Sequence, residues 1–207
     1  MTFSVNPGVY AITDCVNLSH NELLEKTETI LGNGATLFQY RDKENHYENK
    51  LEFANELKSL CKHYNIPLII NDDIQLAKEI TADGIHLGRH DHDIKTAREQ
   101  LGPVIIGVSC YNEFDRAIKA KEEGADYIAF GAFYPSPTKP NAVTANIELL
   151  TKAKIETGLP VVAIGGITPE NGKVLLDQGA DYLAIISGLY SAKDTKKAIH
   201  TYTRLFE

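Results

Sequence analysis

"GADYIAF", residues 124–130, returns almost unchanged as "GADYLAI" at 179–185, with shorter echoes in "GATLF" at 34 and "ADGIHL" at 82. Each phrase sets a Gly or Ala-Asp turn directly before an apolar, β-rich run. Such a turn ends one helix and feeds the next strand, which is the joint of a (β/α) unit. Working outward, strand patterns cover Val9–Thr13, Leu37–Tyr40, Leu68–Asn71, Ile85–Leu87, Ile105–Ser109, Tyr127–Phe130, Val161–Ile164 and Tyr182–Ile186. Helical patterns fill the gaps. Ser19 with Glu22 predicts a capping box for the first. Lys50–Tyr64 repeats Leu51, Ala54, Leu57 and Leu60 at helical spacing. Asp73–Thr81, Ile94–Leu101, Asn112–Glu123, Asn146–Thr157, Pro169–Gln178 and Thr195–Phe206 supply the others.

Strict alternation requires parallel strands, because each helix must return the chain across the sheet. Count and repeat together favour an α/β fold, a closed single-domain (β/α)8 TIM barrel over 1–207, lean for its class. The open doubly wound rival lacks its fingerprint, since no G-x-G-x-x-G follows the first strand.

Composition narrows the function. A net charge of −7 without a basic stripe argues against nucleic-acid partners. Apolar runs are only a handful of residues long, too short to span a membrane, and Met1 leads into polar residues rather than a signal pattern. Cys15, Cys61 and Cys110 lie far apart and cannot form a full disulfide set, so the expected compartment is the cytoplasm. Oligomeric state stays open, a homo-oligomer included.

Barrel chemistry sits at the carboxyl ends of the strands. Here those ends read Asp14; Gln39-Tyr40-Arg41-Asp42-Lys43; Asn71-Asp72-Asp73; Gly88-Arg89-His90-Asp91; Ser109; Gly165-Gly166; and Ser187-Gly188. Gln39, Arg41 and Lys43, two apart, share one side of an extended chain and suit a phosphate chain, or else form a solvated charged loop. Asp72 and Asp91 follow neighbouring strands, and two carboxylates completed by water and phosphate oxygens describe a magnesium site. Helix capping competes for Asp72 or Asp73. "HLGRHDHD" (86–93) also raises zinc through His86, His90 and His92, but no further ligand completes a tetrahedral set.

Gly165-Gly166 and Ser187-Gly188 end strands seven and eight, where barrels bind phosphate monoesters through backbone amides. Between these two anion sites in the chain lies "GAFYPSPTKPN" (131–141). Its prolines exclude helix and strand and stiffen a loop that carries Ser136, Thr138 and Lys139. Alone the loop reads as a rigid turn; read with the two anion sites, it is expected to form a clamp in which Lys139 neutralises one phosphate while Ser136 and Thr138 hydrogen-bond a partner.

These phrases strongly resemble the thiamine-phosphate synthase family: "YAITD" (10–14), "FQYRDK" (38–43), "LIINDD" (68–73), "ADGIHLG" (82–88) with Asp91, "IIGVS" (105–109), "GADYIAFGAFYPSPTKP" (124–140), "PVVAIGGITPEN" (160–171) and "AIISG" (184–188). "PSPTKP" and "FQYRDK" are the specific ones; "AIGGI" is common to phosphate-binding barrels. The resemblance implies a transferase that joins an aminopyrimidinylmethyl diphosphate to a thiazole phosphate and releases pyrophosphate. By the same resemblance Gln39, Tyr40, Arg41, Asp42, Lys43, Asn71, Ser109 and Lys139 bind the pyrimidine diphosphate, with Arg41, Lys43, Ser109 and Lys139 catalytic. Ser136, Pro137, Thr138, Gly166, Ile186 and Ser187 bind the thiazole phosphate, and Asp72 and Asp91 hold Mg2+.

Two departures stand out. Arg89-His90 replaces the family's usual Gln-Glu before Asp91, and Ser136 stands where threonine is frequent. Three rivals remain. A sister thiazole tautomerase has its catalytic histidine where this chain has Tyr111. A non-catalytic binder on the same scaffold is the second. A sugar-phosphate isomerase is the third, and it lacks a placed acid/base pair.

Overall fold

Short strands with two apolar faces must be covered on both, and a closed barrel ringed by helices does this. The structure, a computed structural model, describes residues 5–89, 91, 93–135 and 144–207. Its strands are β1 (Gly8–Ile12), β2 (Ala35–Tyr40), β3 (Leu68–Asn71), β4 (Gly84–Leu87), β5 (Ile105–Tyr111), β6 (Tyr127–Phe130), β7 (Val161–Ile164) and β8 (Tyr182–Ile185). They pair in parallel in chain order, and β1 closes on β8. The chain is the expected (β/α)8 barrel.

Period-two alternation sorts the side chains into two cores. Val9, Phe38, Ile70, Ile85 and Leu183 point outward under the helices. Tyr10, Leu37, Ile69, Tyr127, Val162 and Tyr182 point inward and fill the barrel. Gly107 makes room for one of them: a Cβ there would lie 1.9 Å from the Tyr127 ring.

The helices are α1 (His20–Leu31), α2 (Tyr47–Tyr64), α3 (Ile74–Glu79), α4 (Ile94–Leu101), α5 (Phe114–Glu122), α6 (Glu148–Thr157), α7 (Pro169–Asp177), α8 (Ser187–Tyr190) and α9 (Thr195–Thr203). The Ser19–Glu22 capping box forms. Asp73 caps α3, its carboxylate accepting from Leu76 N at 2.9 Å, and this leaves Asp72 for other work.

Most differences from the sequence reading are shifts of a residue or a few at element ends. Two go further. Residue 186 leaves strand geometry (φ −111°, ψ −90°), so β8 stops at Ile185 and the short α8 begins. Four residues carry no readable helical period. The expected last helix divides into α9 and a 3-10 turn, Arg204–Phe206.

The repeated Ala-Asp turn has a defined task at the amino-terminal rim. Asp83, Asp126 and Asp181 accept from Leu68 N (2.9 Å), Ile106 N (2.8 Å) and Val161 N (2.8 Å), at the start of the preceding strand. Each also pairs with a cation on the helix before that strand: Lys58 at 2.8 Å, Arg98 at 3.0 Å, and Lys154. In the divergent phrase "GATLF" the acid is replaced by Thr36, whose hydroxyl donates instead to Val9 O at 3.4 Å. Among the described residues no helix is long and apolar enough to cross a membrane.

Candidate active site

The last inward residues of the strands enclose a cavity of about 360 Å3 at the carboxyl rim. Gln39, Arg41, Asn71 and Ser109 line one side of it; Gly166, Ile186 and Ser187 line the other. A wider depression of about 990 Å3 opens at the opposite rim around Lys58, Asp83, Arg98 and Asp126. These four charges are already paired with each other, so the smaller cavity is the better candidate for chemistry.

Alternation beyond β2 works as the sequence suggests. Arg41 is held by the buried Thr13, whose hydroxyl donates to Arg41 O (3.0 Å) and accepts from Arg41 N (2.8 Å). Lys43 Nζ lies 3.1 Å from the Asp72 carboxylate. Tyr40 and Asp42 turn the other way. The Tyr40 hydroxyl donates to Asp42 at 3.1 Å, its ring packs edge-on against Phe53, and both residues line a separate hollow beside α1 and α2. Any role for these two in the main cavity is therefore confined to their backbone.

Asp72 and Asp91 converge. Asp72 sits in the left-handed region (φ 62°), an unfavourable conformation that turns its side chain toward Lys43, and its carboxylate accepts from Asn71 Nδ2 at 2.6 Å. Asp91 accepts from Gly88 N at 2.7 Å. A Cβ built on Gly88 would lie 2.5 Å from Asp91 Oδ2 and 3.7 Å from Asp72 Oδ1, which places the two acids side by side. Partial burial, then the contact with Asp72 and its charge, hold the Asp91 carboxyl above its ordinary range; Gly88 N–H and Lys43 act the other way. Asp91 as a whole stays exposed at the rim, so solvent screens much of that effect.

Arg116 of α5 was not anticipated. Its guanidinium donates to Ser109 O (2.6 Å) and Gly88 O (2.8 Å), tying the ends of β5 and β4 together. Its guanidinium also lies 5.8 Å from the centre of the Tyr111 ring, and a helix arginine that meets the site through carbonyls and one ring face leaves no motif. Below it, His86 bonds Tyr127 through Nδ1 (2.9 Å) and Ser109 through Nε2 (2.8 Å). Both ring nitrogens are thus engaged, which removes His86 from the zinc reading. Among the described residues no group of three or more His, Cys, Asp or Glu is set to hold a metal. An inward histidine between outward Ile85 and Leu87 is legible by alternation, but its partners are not.

Gly166 (φ 61°) requires glycine: a Cβ would lie 2.4 Å from Pro135 O. Phe133 N and Tyr134 N donate to Ile164 O (3.1 Å) and Gly165 O (3.0 Å), stitching the entry of the proline-rich loop to the end of β7. Ser136, Pro137, Thr138 and Lys139 lie outside the described residues, as do His90 and His92.

The sequence profile of a family described as "Thiamine monophosphate synthase" matches residues 9–189. This chain belongs to that family. A thiamine-phosphate synthase of Thiobacillus denitrificans is 48% identical over 200 residues, covering 96% of this chain and 94% of the relative. One from Nitrosococcus oceani is 46% identical over 200 residues, covering 96% and 92%. A solved thiamine phosphate pyrophosphorylase from Pyrococcus furiosus superposes with a TM-score of 0.87 at 32% identity, over 96% of this chain and 94% of that one. Membership makes the chain a transferase of the thiamine-phosphate synthase class.

Proposed function

We propose that this enzyme condenses 4-amino-2-methyl-5-pyrimidinylmethyl diphosphate with a 4-methylthiazole ethyl phosphate, giving thiamine phosphate and pyrophosphate. One observation carries the reading beyond family membership: a single cavity joins Gln39, Arg41, Asn71 and Ser109 to Gly166, Ile186 and Ser187. Two anionic guests then lie side by side at one rim. The diphosphate lies toward Arg41 and Lys43, and the thiazole phosphate lies toward the amides around Gly166 and Ser187.

Asp72 and Asp91 would hold magnesium. Their paired carboxylates offer the hard oxygen donors that ion takes, and a cation would relieve the raised Asp91 carboxyl. When bound, the ion supplies charge stabilisation for the departing diphosphate. Arg41, Lys43 and Lys139 add fixed positive charge around the same leaving group, and Ser109 donates a hydrogen bond to it. An electron-rich aminopyrimidine tolerates positive charge on its methylene carbon, so the carbon–oxygen bond can break before the thiazole nitrogen attacks. That nitrogen carries its own lone pair and needs no base. The protein's share is orientation and electrostatics. Ser136, Pro137 and Thr138 complete the thiazole side in this reading. The three free cysteines, two of them buried, fit a cytoplasmic enzyme.

The test is to mix both substrates with magnesium, follow pyrophosphate, and omit each component in turn. Release only with all three present supports the synthase. A change in the thiazole alone without pyrophosphate would indicate a tautomerase. Saturable binding without any turnover would indicate a passive binder.

A further inference from the structure

Under the cavity runs a row of hydrogen bonds that the proposed reaction leaves unexplained. Gln39 Nε2 meets Tyr10 Oη at 2.7 Å, Tyr10 meets Tyr127 at 2.8 Å, Tyr127 meets His86 Nδ1 at 2.9 Å, and His86 Nε2 meets Ser109 Oγ at 2.8 Å. Five side chains from five strands are linked across the barrel. The first four are at most 8% exposed, so the row is largely shielded from bulk water although it floors the cavity.

The polarity of the row follows from its far end. With the Gln39 –NH2 turned toward Tyr10, as it is placed here, Tyr10 accepts from Gln39 and passes its single proton to Tyr127. Tyr127 in turn donates to His86 Nδ1. A neutral imidazole that accepts at Nδ1 carries its hydrogen at Nε2, and that hydrogen points at Ser109 Oγ. The Ser109 oxygen is then an acceptor from below, and its own hydrogen is directed into the cavity that it lines. Turned over, with Oε1 toward Tyr10, the Gln39 amide would reverse every link. Ser109 would then offer only lone pairs to an anion. Burial supports the neutral ring: it lowers the His86 pKa to about 4, with Asp91 acting weakly the other way.

We infer that His86 is a positioning residue, held as the Nε2–H tautomer by the Tyr10–Tyr127 pair, which fixes the Ser109 hydroxyl as a hydrogen-bond donor toward the bound diphosphate. The inference rests on the pyrimidine-diphosphate reading of Ser109. A donor fixed before substrate arrives needs no reorganisation during reaction.

The first test is spectroscopic and independent of activity. Long-range 1H–15N correlation on the labelled full chain reads the tautomer, with the His86 signals identified by their loss in His86→Gln. A protonated Nε2 is expected; a protonated Nδ1 would overturn the inference. The second test is kinetic. His86→Leu and Ser109→Ala should each lower kcat/KM for the pyrimidine diphosphate by about 10- to 100-fold, as expected for a hydrogen bond to a charged group. The double variant should be little worse than either single one, because both remove the same interaction. His86→Gln, which can accept from Tyr127 and donate to Ser109, should recover most of the loss. Additive losses, or a His86→Gln as impaired as His86→Leu, would also overturn the inference. A wild-type chain that releases no pyrophosphate would sink the function reading instead, while the tautomer still decides the polarity of the row.

Discussion

The two rims of this barrel are built by opposite rules. At the amino-terminal rim one device repeats: Asp83, Asp126 and Asp181 each tie a strand amide to a cation on the preceding helix. At the carboxyl rim nothing repeats. Arg41 is fixed by Thr13, Asp72 is twisted to a positive φ beside Asp91, and Gly166 yields space to Pro135. Repetition suits stability, because every (β/α) unit has the same ends to satisfy. Asymmetry suits recognition, because two different guests must be told apart. The lesson is that damage at one rim should be separable from damage at the other.

The largest break in that comparison should come at the carboxyl rim. Asp91→Ala is expected to lower kcat/KM by about 100-fold or more, because the proposed magnesium would lose one of its two carboxylate ligands and with it the charge that would stabilise the departing diphosphate. Its melting temperature should be little changed, because the residue is exposed. Pyrophosphate release and thermal melts on the same preparation check both halves. A large drop in melting temperature with intact turnover would erase the distinction between rims.

His86 links the site to stability through pH. Its folded pKa, about 4, lies below the ordinary value of 6.5, so between these the unfolded chain binds the extra proton. Its contribution is therefore fully present above pH ~6.5 and is lost as pH falls toward 4, on the order of 3 kcal/mol in all. Denaturant unfolding of wild type and His86→Gln across this window should give curves that diverge on acidification, with the variant less acid-sensitive. Parallel curves would mean that the ring is not held neutral.

Asp181→Ala tests the other rim. Removing it orphans Val161 N and Lys154, which should cost about 1–3 kcal/mol in unfolding free energy. kcat/KM should be nearly unaffected. If activity falls as steeply as stability, the rims are coupled.

The smallest effect sharpens the site itself. Gly166→Leu should raise KM for the thiazole phosphate by about tenfold and that for the pyrimidine diphosphate less, since the new side chain displaces Pro135 on the thiazole side. Steady-state kinetics with each substrate varied decides it, and the reverse order would swap the two halves of the cavity.

How much of this was legible follows from the same contrast. The barrel could be read because its joint is local: "GADYIAF" and "GADYLAI" spell a helix end, a turn and a strand within seven residues. Period two likewise placed Gln39, Arg41 and Lys43 together, but the resemblance assigned Tyr40 and Asp42 to the same substrate, and only the folded chain shows their side chains turned into a separate hollow. Asp73 as cap and Asp72 as site residue could be told apart only by backbone conformation, φ −89° against 62°. The floor row was not legible, since Gln39, Tyr10, Tyr127, His86 and Ser109 come from five strands and meet only when the barrel closes. The short α8 escaped for want of length, and Arg116 because its partners, two backbone carbonyls and the Tyr111 ring, come together only in the folded chain.

The most direct measurement is a crystal structure of the enzyme with magnesium and both products. The account predicts pyrophosphate against Arg41 and Ser109, the phosphate of the second product at Gly166 and Ser187, and the metal between Asp72 and Asp91. Product density at the amino-terminal rim, or both anions on the same side of the cavity, would contradict it.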